Sequence, residues 1–149
     1  MNIELCKKQI KRHEGEVLEI YKDSLGYKTL GVGHLCQPND PEYNWKVGTR
    51  VSQEVVDMYY ENDFNNHYME AIHVFGSEEG FYNLPEGIQH VLVNMCFNLG
   101  GSRLSKFRNM IKACREHNWK EMSAQMQDSR WYHQVGRRSK ELQQAVLSV

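Results

Sequence analysis

A chain of 149 residues, 40% hydrophobic and 25% charged, has the make-up of one soluble globular domain or two small lobes, long enough to bury a core without disulfide staples. A net charge of −1 argues against a nucleic-acid binder, and no apolar run approaches the roughly 20 residues that would insert into a membrane. Cys6, Cys36, Cys96 and Cys114 share no short repeating spacing and read as buried thiols; the histidines are scattered, so neither a metal nor another cofactor is expected.

In chain order, Ile3, Cys6, Ile10 and His13 recur at steps of three and four, predicting a helix that Gly15 ends. Glu14 thereby falls on the helix's last turn. Leu18 and Ile20 alternate with polar residues as far as Asp23, Ser24-Leu25-Gly26 reads as a turn, and residues 27–33 return as a glycine-loosened strand. Asp23 and Thr29 then face each other across that turn. Residues 36–50, with Pro38, Pro41 and Gly48, form a loop-rich link.

Ser52 followed by Glu54 opens a helix that can run to about Phe75, on the order of 35 Å. Its ends carry Val55, Val56, Tyr59, Met69 and Ile72, while 61–67 is mostly polar, and a long helix with a wet middle is expected to bridge two lobes. Residues 76–80 read as a turn. Pro85 suits the first turn of the next helix, whose residues from Ile88 to Phe97 are apolar almost all round, predicting the buried centre of the larger lobe, closed by Gly100-Gly101. Phe107, Met110, Ile111 and Cys114 mark another helical stripe, and Asn118 with Glu121 resembles a capping box. Arg130-Trp131-Tyr132 opens a short segment, Gly136 interrupts it, and Leu142, Ala145 and Val146 form a last helical face. These elements make a predominantly α, α+β chain. A β-containing lobe spans about 13–50, a bridging helix about 52–75, and a helical lobe about 80–149 together with the N-terminal helix.

The small net charge conceals a gradient. Residues 42–90 carry two Lys/Arg against nine Asp/Glu, and residues 103–141 carry ten against four. Most of the basic side chains read as solvated helix surface, but together they suit an anionic polymer such as a cell wall.

Two carboxyl groups in unlike settings are what glycoside hydrolysis requires: one protonated to donate to the leaving oxygen, one ionised to activate water or stabilise positive charge. The spacing of Glu14, Asp23 and Thr29 with Gly31-Val32-Gly33-His34 resembles the phage-type lysozymes, as do Asn94-Met95-Cys96-Phe97-Asn98-Leu99-Gly100 and Ser129-Arg130-Trp131-Tyr132-His133-Gln134, in the same order. The resemblance implies a lysozyme-like fold with Glu14 as general acid and Asp23 and Thr29 holding the attacking water. It implies a structural pair between His34 and Asp63, and an arginine near the acid, for which Arg137 and Arg138 are equally available. It implies Leu35 and Phe97 as cleft walls, Asn98 as an amide contact, and Gln125 where the family often has asparagine.

The activity so implied is a muramidase: cleavage of the β-1,4 bond between N-acetylmuramic acid and N-acetylglucosamine in bacterial peptidoglycan, with inversion, by a monomer. A lytic transglycosylase needs no water-holding partner, so the presence of Asp23 and Thr29 argues against it; a non-catalytic wall-binding module is opposed by the presence of both acids. An antibacterial effector would use the same chemistry delivered differently. The N-terminal residues show no apolar signal core, so the expectation is synthesis in the cytoplasm, that of a phage-infected host above all, and action on the wall after release or export.

Overall fold

The computed structural model describes residues 1–149, and these spacings resolve into a mostly helical chain with one small antiparallel sheet. Helix α1 (Ile3–Glu14) ends where Gly15 takes a φ of 77° and its N–H closes on Lys11 O at 2.8 Å. Strands β1 (Val17–Lys22), β2 (Lys28–Gly31) and β3 (His34–Leu35) follow, in the order β1-β2-β3. A single 3₁₀ turn (Pro41–Asn44) interrupts the link before helix α2 (Gln53–Phe75). Then come α3 (Glu78–Tyr82), α4 (Glu86–Leu99), α5 (Gly101–Leu104), α6 (Arg108–Arg115), α7 (Trp119–Gln127), α8 (Arg130–Val135) and α9 (Arg137–Leu147).

The chain divides into two compact units, residues 7–66 and residues 1–6 with 67–149. In the unit of residues 7–66, β1 hydrogen-bonds to β2 along one edge. Its other edge is covered by the incoming loop: Ile20 N–H donates to Thr49 O at 2.9 Å and Val51 N–H to Leu18 O at 3.0 Å. That cover removes an open strand edge without adding a strand. Ile20, Leu30, Val32, Val51, Val56 and Phe64 are buried to 5% exposure or less and form this unit's core. In the other unit, Ile88, Val91, Leu92, Val93, Met95 and Cys96 of α4 are all at 2% exposure or less; α9 packs against α4, and the α6–α7 pair joins α9 through α7.

The structure departs from the sequence expectations at four places. Residues 78–82 are helical rather than part of a turn: Ser77 Oγ accepts the Gly80 N–H at 3.0 Å, and Glu78 and Glu79 sit in the first turn, where acids favour a helix. Gly101 opens α5 instead of only closing α4. The middle of α2 is not uniformly wet, because Phe64 is buried with its ring edge toward Tyr60, whereas Met69 points out at 71% exposure. The predicted strand over 27–33 is broken by the turn at Val32-Gly33, which makes room for β3.

Candidate active site

The site begins with two carboxylates held by different means. Asp23 closes the β1–β2 hairpin: its Oδ1 accepts the N–H groups of Leu25 and Tyr27, both at 2.9 Å, while its own N–H donates to Tyr27 O at 2.9 Å. A short acidic side chain folding onto the backbone two and four residues ahead is the ordinary way Asp stabilises a turn. Both bonds fall on Oδ1, which fixes the carboxylate's orientation.

Glu14, the last residue of α1, is positioned by the β2–β3 turn. A Cβ built on Gly33 would fall 2.5 Å from Glu14 Oε1, and Gly33 has a φ of 64°. Only a residue lacking Cβ adopts that conformation cheaply and also lets the carboxylate lie against the backbone. Burial, then the charge of Glu14 and of Asp23, raise the Tyr21 phenol above its ordinary value, so both carboxylates act on one side chain of β1.

Thr29 sits across from Tyr21 on β2, and Leu35 across from Thr29 on β3, so the three side chains form a row on one face of the sheet. Thr29 is buried at 4% exposure and its hydroxyl donates to Tyr27 O at 3.0 Å, which leaves the oxygen lone pairs to accept from a water. Leu35 is 45% exposed.

Beside this row, His34 and Asp63 are brought together: His34 Nδ1 is 2.7 Å from Asp63 Oδ2 on α2. A second carboxylate that the sequence reading missed, Asp40, stands 2.8 Å from Nε2, and the imidazole stacks on Tyr59 at 3.9 Å between centroids. Tyr59 in turn donates to the buried Glu42 at 2.6 Å. Burial alone would lower the His34 pKa, but the hydrogen bonds and charges of Asp63 and Asp40 outweigh it and raise it. Asp40 itself is held below its ordinary value: burial opposes this, and the Gln37 N–H and His34 overcome it. Asp40 lay in a Pro-Asn-Asp-Pro stretch that reads as plain loop; its only signal was a position six residues after His34.

The remaining candidates belong to the unit of residues 1–6 and 67–149. Arg138 is the buried arginine, at 9% exposure, with Nε donating to Asn94 Oδ1 at 2.9 Å; Arg137 is exposed, so burial separates the two residues the sequence left equal. Phe97 is only 8% exposed, its ring edge against His67 at 5.1 Å, so it offers a ligand little surface as a wall. Asn98 accepts the Trp131 indole N–H at 2.7 Å through its Oδ1. Gln125 donates to Glu121 at 2.8 Å and lines a cavity of about 680 Å³ that also takes Arg103, Lys106, Arg108, Arg130 and Trp131. His67, Glu70 and Cys96, the residues with metal-ligand geometry, are likewise in this unit rather than with the acid pair.

Comparison with known proteins follows the same outline. The sequence profile of the Phage lysozyme family matches residues 11–145. The chain is 29% identical to "Probable T4-type lysozyme 2" of Dictyostelium discoideum over 89% of its own length and 88% of the relative's. It is 25% identical to the "Pre-baseplate central spike protein Gp5" of Enterobacteria phage T4 over 93% of its own length but 27% of that protein's. It is 27% identical to the "Peptidoglycan hydrolase gp36" of Pseudomonas phage phiKMV over 87% of its length and 14% of that relative's.

Two predictions follow from this geometry. Gly33→Ala should displace Glu14 and strain the turn, costing roughly 1–2 kcal/mol from the positive φ alone; catalytic turnover should fall further than this loss of stability explains, measured beside a thermal melt. The second concerns pH. A raised His34 pKa stabilises the fold fully below the unfolded value near 6.5 and loses that contribution as pH rises through the folded value. Asp40, lowered from 3.8, works oppositely, its contribution disappearing as pH falls through its folded value. Asp63→Asn should therefore reduce stability by roughly 1 kcal/mol, the difference between a charged and a neutral hydrogen bond. The loss should be greatest between the two limits and shrink toward alkaline pH, which Tm measured against pH will show.

Proposed function

Because the chain belongs to the phage lysozyme family, we propose that it is a muramidase, hydrolysing the β-1,4 bond between N-acetylmuramic acid and N-acetylglucosamine in bacterial peptidoglycan. The observation that carries this reading is a pair of carboxylates held in unlike settings within one unit, Glu14 seated against Gly33 and Asp23 locked into the hairpin turn. The names of the relatives, two of them a T4-type lysozyme and a peptidoglycan hydrolase, support the substrate class.

In this reading Glu14 donates its proton to the glycosidic oxygen as the bond to the anomeric carbon breaks. The developing positive charge on the sugar is met by ionised Asp23, whose Oδ2 accepts a proton from the attacking water. Thr29 accepts a second hydrogen bond from that water and fixes its approach. Two partners are needed because one hydrogen bond leaves a water free to rotate away from the line of attack. The net step adds H to the leaving oxygen and OH to the anomeric carbon, with Asp23 returning its proton to solvent and Glu14 taking one up to restore the acid. The basic side chains around the 680 Å³ cavity give the same chain a surface attractive to an anionic wall polymer.

Glu14→Gln keeps the shape of the side chain and removes its transferable proton. Lysis should fall by roughly 10²–10⁴-fold, the usual contribution of general acid catalysis, with the melt unchanged; a variant with near-normal lysis of purified walls would show that the acid is elsewhere. The stereochemical outcome tests Thr29. A water held between Asp23 and Thr29 attacks the face opposite the leaving group, so a β-linked substrate should release the α anomer first, as in enzymes whose carboxyls stand roughly 6.5–9.5 Å apart. Proton NMR in the first minutes of cleavage distinguishes the anomers, and Thr29→Val should lower kcat more than it raises KM. A β anomer formed first would instead make Asp23 the direct nucleophile.

A further inference from the structure

His67 and Glu70 are three residues apart on α2, a spacing that stacks side chains on one helical face, and Cys96 meets them from α4. His67 Nδ1 lies 2.9 Å from Glu70 Oε1, the Cys96 thiol donates to the same oxygen at 3.5 Å, and the three potential ligand atoms all fall within 4.8 Å of one another. Cys96 is fully buried, while the side chains of His67 and Glu70 are 28% and 43% exposed, so the cluster is closed on the sulfur side and reachable from the other. Nothing in the proposed muramidase chemistry uses these three residues.

We propose that His67, Glu70 and Cys96 form a binding site for a divalent transition metal of the zinc type, with water as the fourth ligand. Zinc bonds of about 2.0–2.1 Å to nitrogen, 2.3 Å to sulfur and 2.0–2.2 Å to oxygen put tetrahedral ligand atoms roughly 3.3–3.7 Å apart. The Cys96–Glu70 separation of 3.5 Å already has that value, and the His67–Glu70 separation of 2.9 Å reaches it by a slight widening of two half-exposed side chains. Imidazole and thiolate are the donors that favour zinc over magnesium or calcium, which take oxygen ligands.

Neighbouring groups hold two of the three donors in place, as metal sites require. The ring edge of Phe97 packs against His67 at 5.1 Å. The Gly101 backbone hydrogen-bonds Glu70, and a Cβ at Gly101 would come within 2.6 Å of the Glu70 carboxyl carbon, so the absent side chain is what admits the carboxylate. The charges also balance: a divalent cation with one thiolate and one carboxylate is neutral, which suits a half-buried position. On binding, the S–H bond of Cys96 breaks, the sulfur pair forms the metal bond, and one proton leaves to solvent. The neutral His67 ring binds through Nδ1 and carries its proton on Nε2. Because the thiol gives up its proton to bind the metal, affinity should climb with pH.

The test is a titration of the reduced, metal-free protein with Co²⁺, monitored by absorbance. A thiolate-to-cobalt band in the near ultraviolet, saturating at one equivalent with release of one proton and abolished by Zn²⁺, is the expected result. Cys96→Val should remove the band, and Glu70→Gln and His67→Ala should each weaken binding by at least roughly tenfold; Cys36→Ser should leave it intact. Should Cys96→Val fold poorly, the two variants at half-exposed positions decide the matter alone. No thiolate band in the wild type, or one indifferent to Glu70 and His67, would mean that the cluster is only a thiol hydrogen-bonded to a carboxylate. Wall lysis is not read in this experiment, so failure here leaves the muramidase reading untouched, and the reverse also holds.

Discussion

The imidazole of His34, held between Asp63 and Asp40, is the constraint on which the seat of Glu14 depends. Strand β3 is two residues long, and two antiparallel pairs to β2 are too few to hold a sheet edge in place. The His34 side chain supplies the rest, joining β3 to α2 through Asp63, to the loop that follows β3 through Asp40, and to Tyr59 by stacking. Gly33 is the residue before it, and Gly33 is where the Glu14 carboxylate rests. Fixing the histidine therefore fixes the turn, and fixing the turn fixes the acid.

Such a cluster is not a cheap source of stability. Three ionisable groups with side-chain exposures of 10%, 15% and 22% lose hydration on folding, and their mutual attraction mainly offsets that loss. What it provides is register. A one-residue slip of β3 would turn His34 away from both aspartates and leave charges unpaired in a half-dry place, so the alternative pairing is heavily disfavoured. The neighbouring Tyr59–Glu42 bond extends the same logic into the 3₁₀ turn, where a buried carboxylate needs a donor and the phenol supplies one.

The two catalytic candidates differ in how they are secured, and the difference suits their proposed tasks. Asp23 is held by its own hairpin, through backbone groups two and four residues away, and needs nothing distant to keep its orientation. Glu14 depends on a contact from residues nineteen positions onward in the chain, so its placement is a property of the folded unit. In the other unit, the same contrast separates Asn98, tied to Trp131, from Gln125, tied only to the helical neighbour Glu121 on the surface of the basic cavity.

Much of this was written locally. The apolar steps of α1, the alternation of β1, the turn at 24–26 and the stripes of α4 and α6 depend on spacing that any reader of the chain can measure, because helix and strand periods are set by the backbone itself. The resemblance carried by Glu14, Asp23, Thr29 and the Gly-Val-Gly-His run pointed to the family for the same reason: those residues are close in sequence. Tertiary structure alone decided the second carboxylate on His34, the burial of Phe64 and Phe97, and which of Arg137 and Arg138 turns inward. It alone brought together His67, Glu70 and Cys96, whose positions in the sequence carry no metal-ligand spacing. A sequence shows which groups are present and which share a local face; which distant groups meet depends on how helices pack, and packing is chosen by the whole core at once.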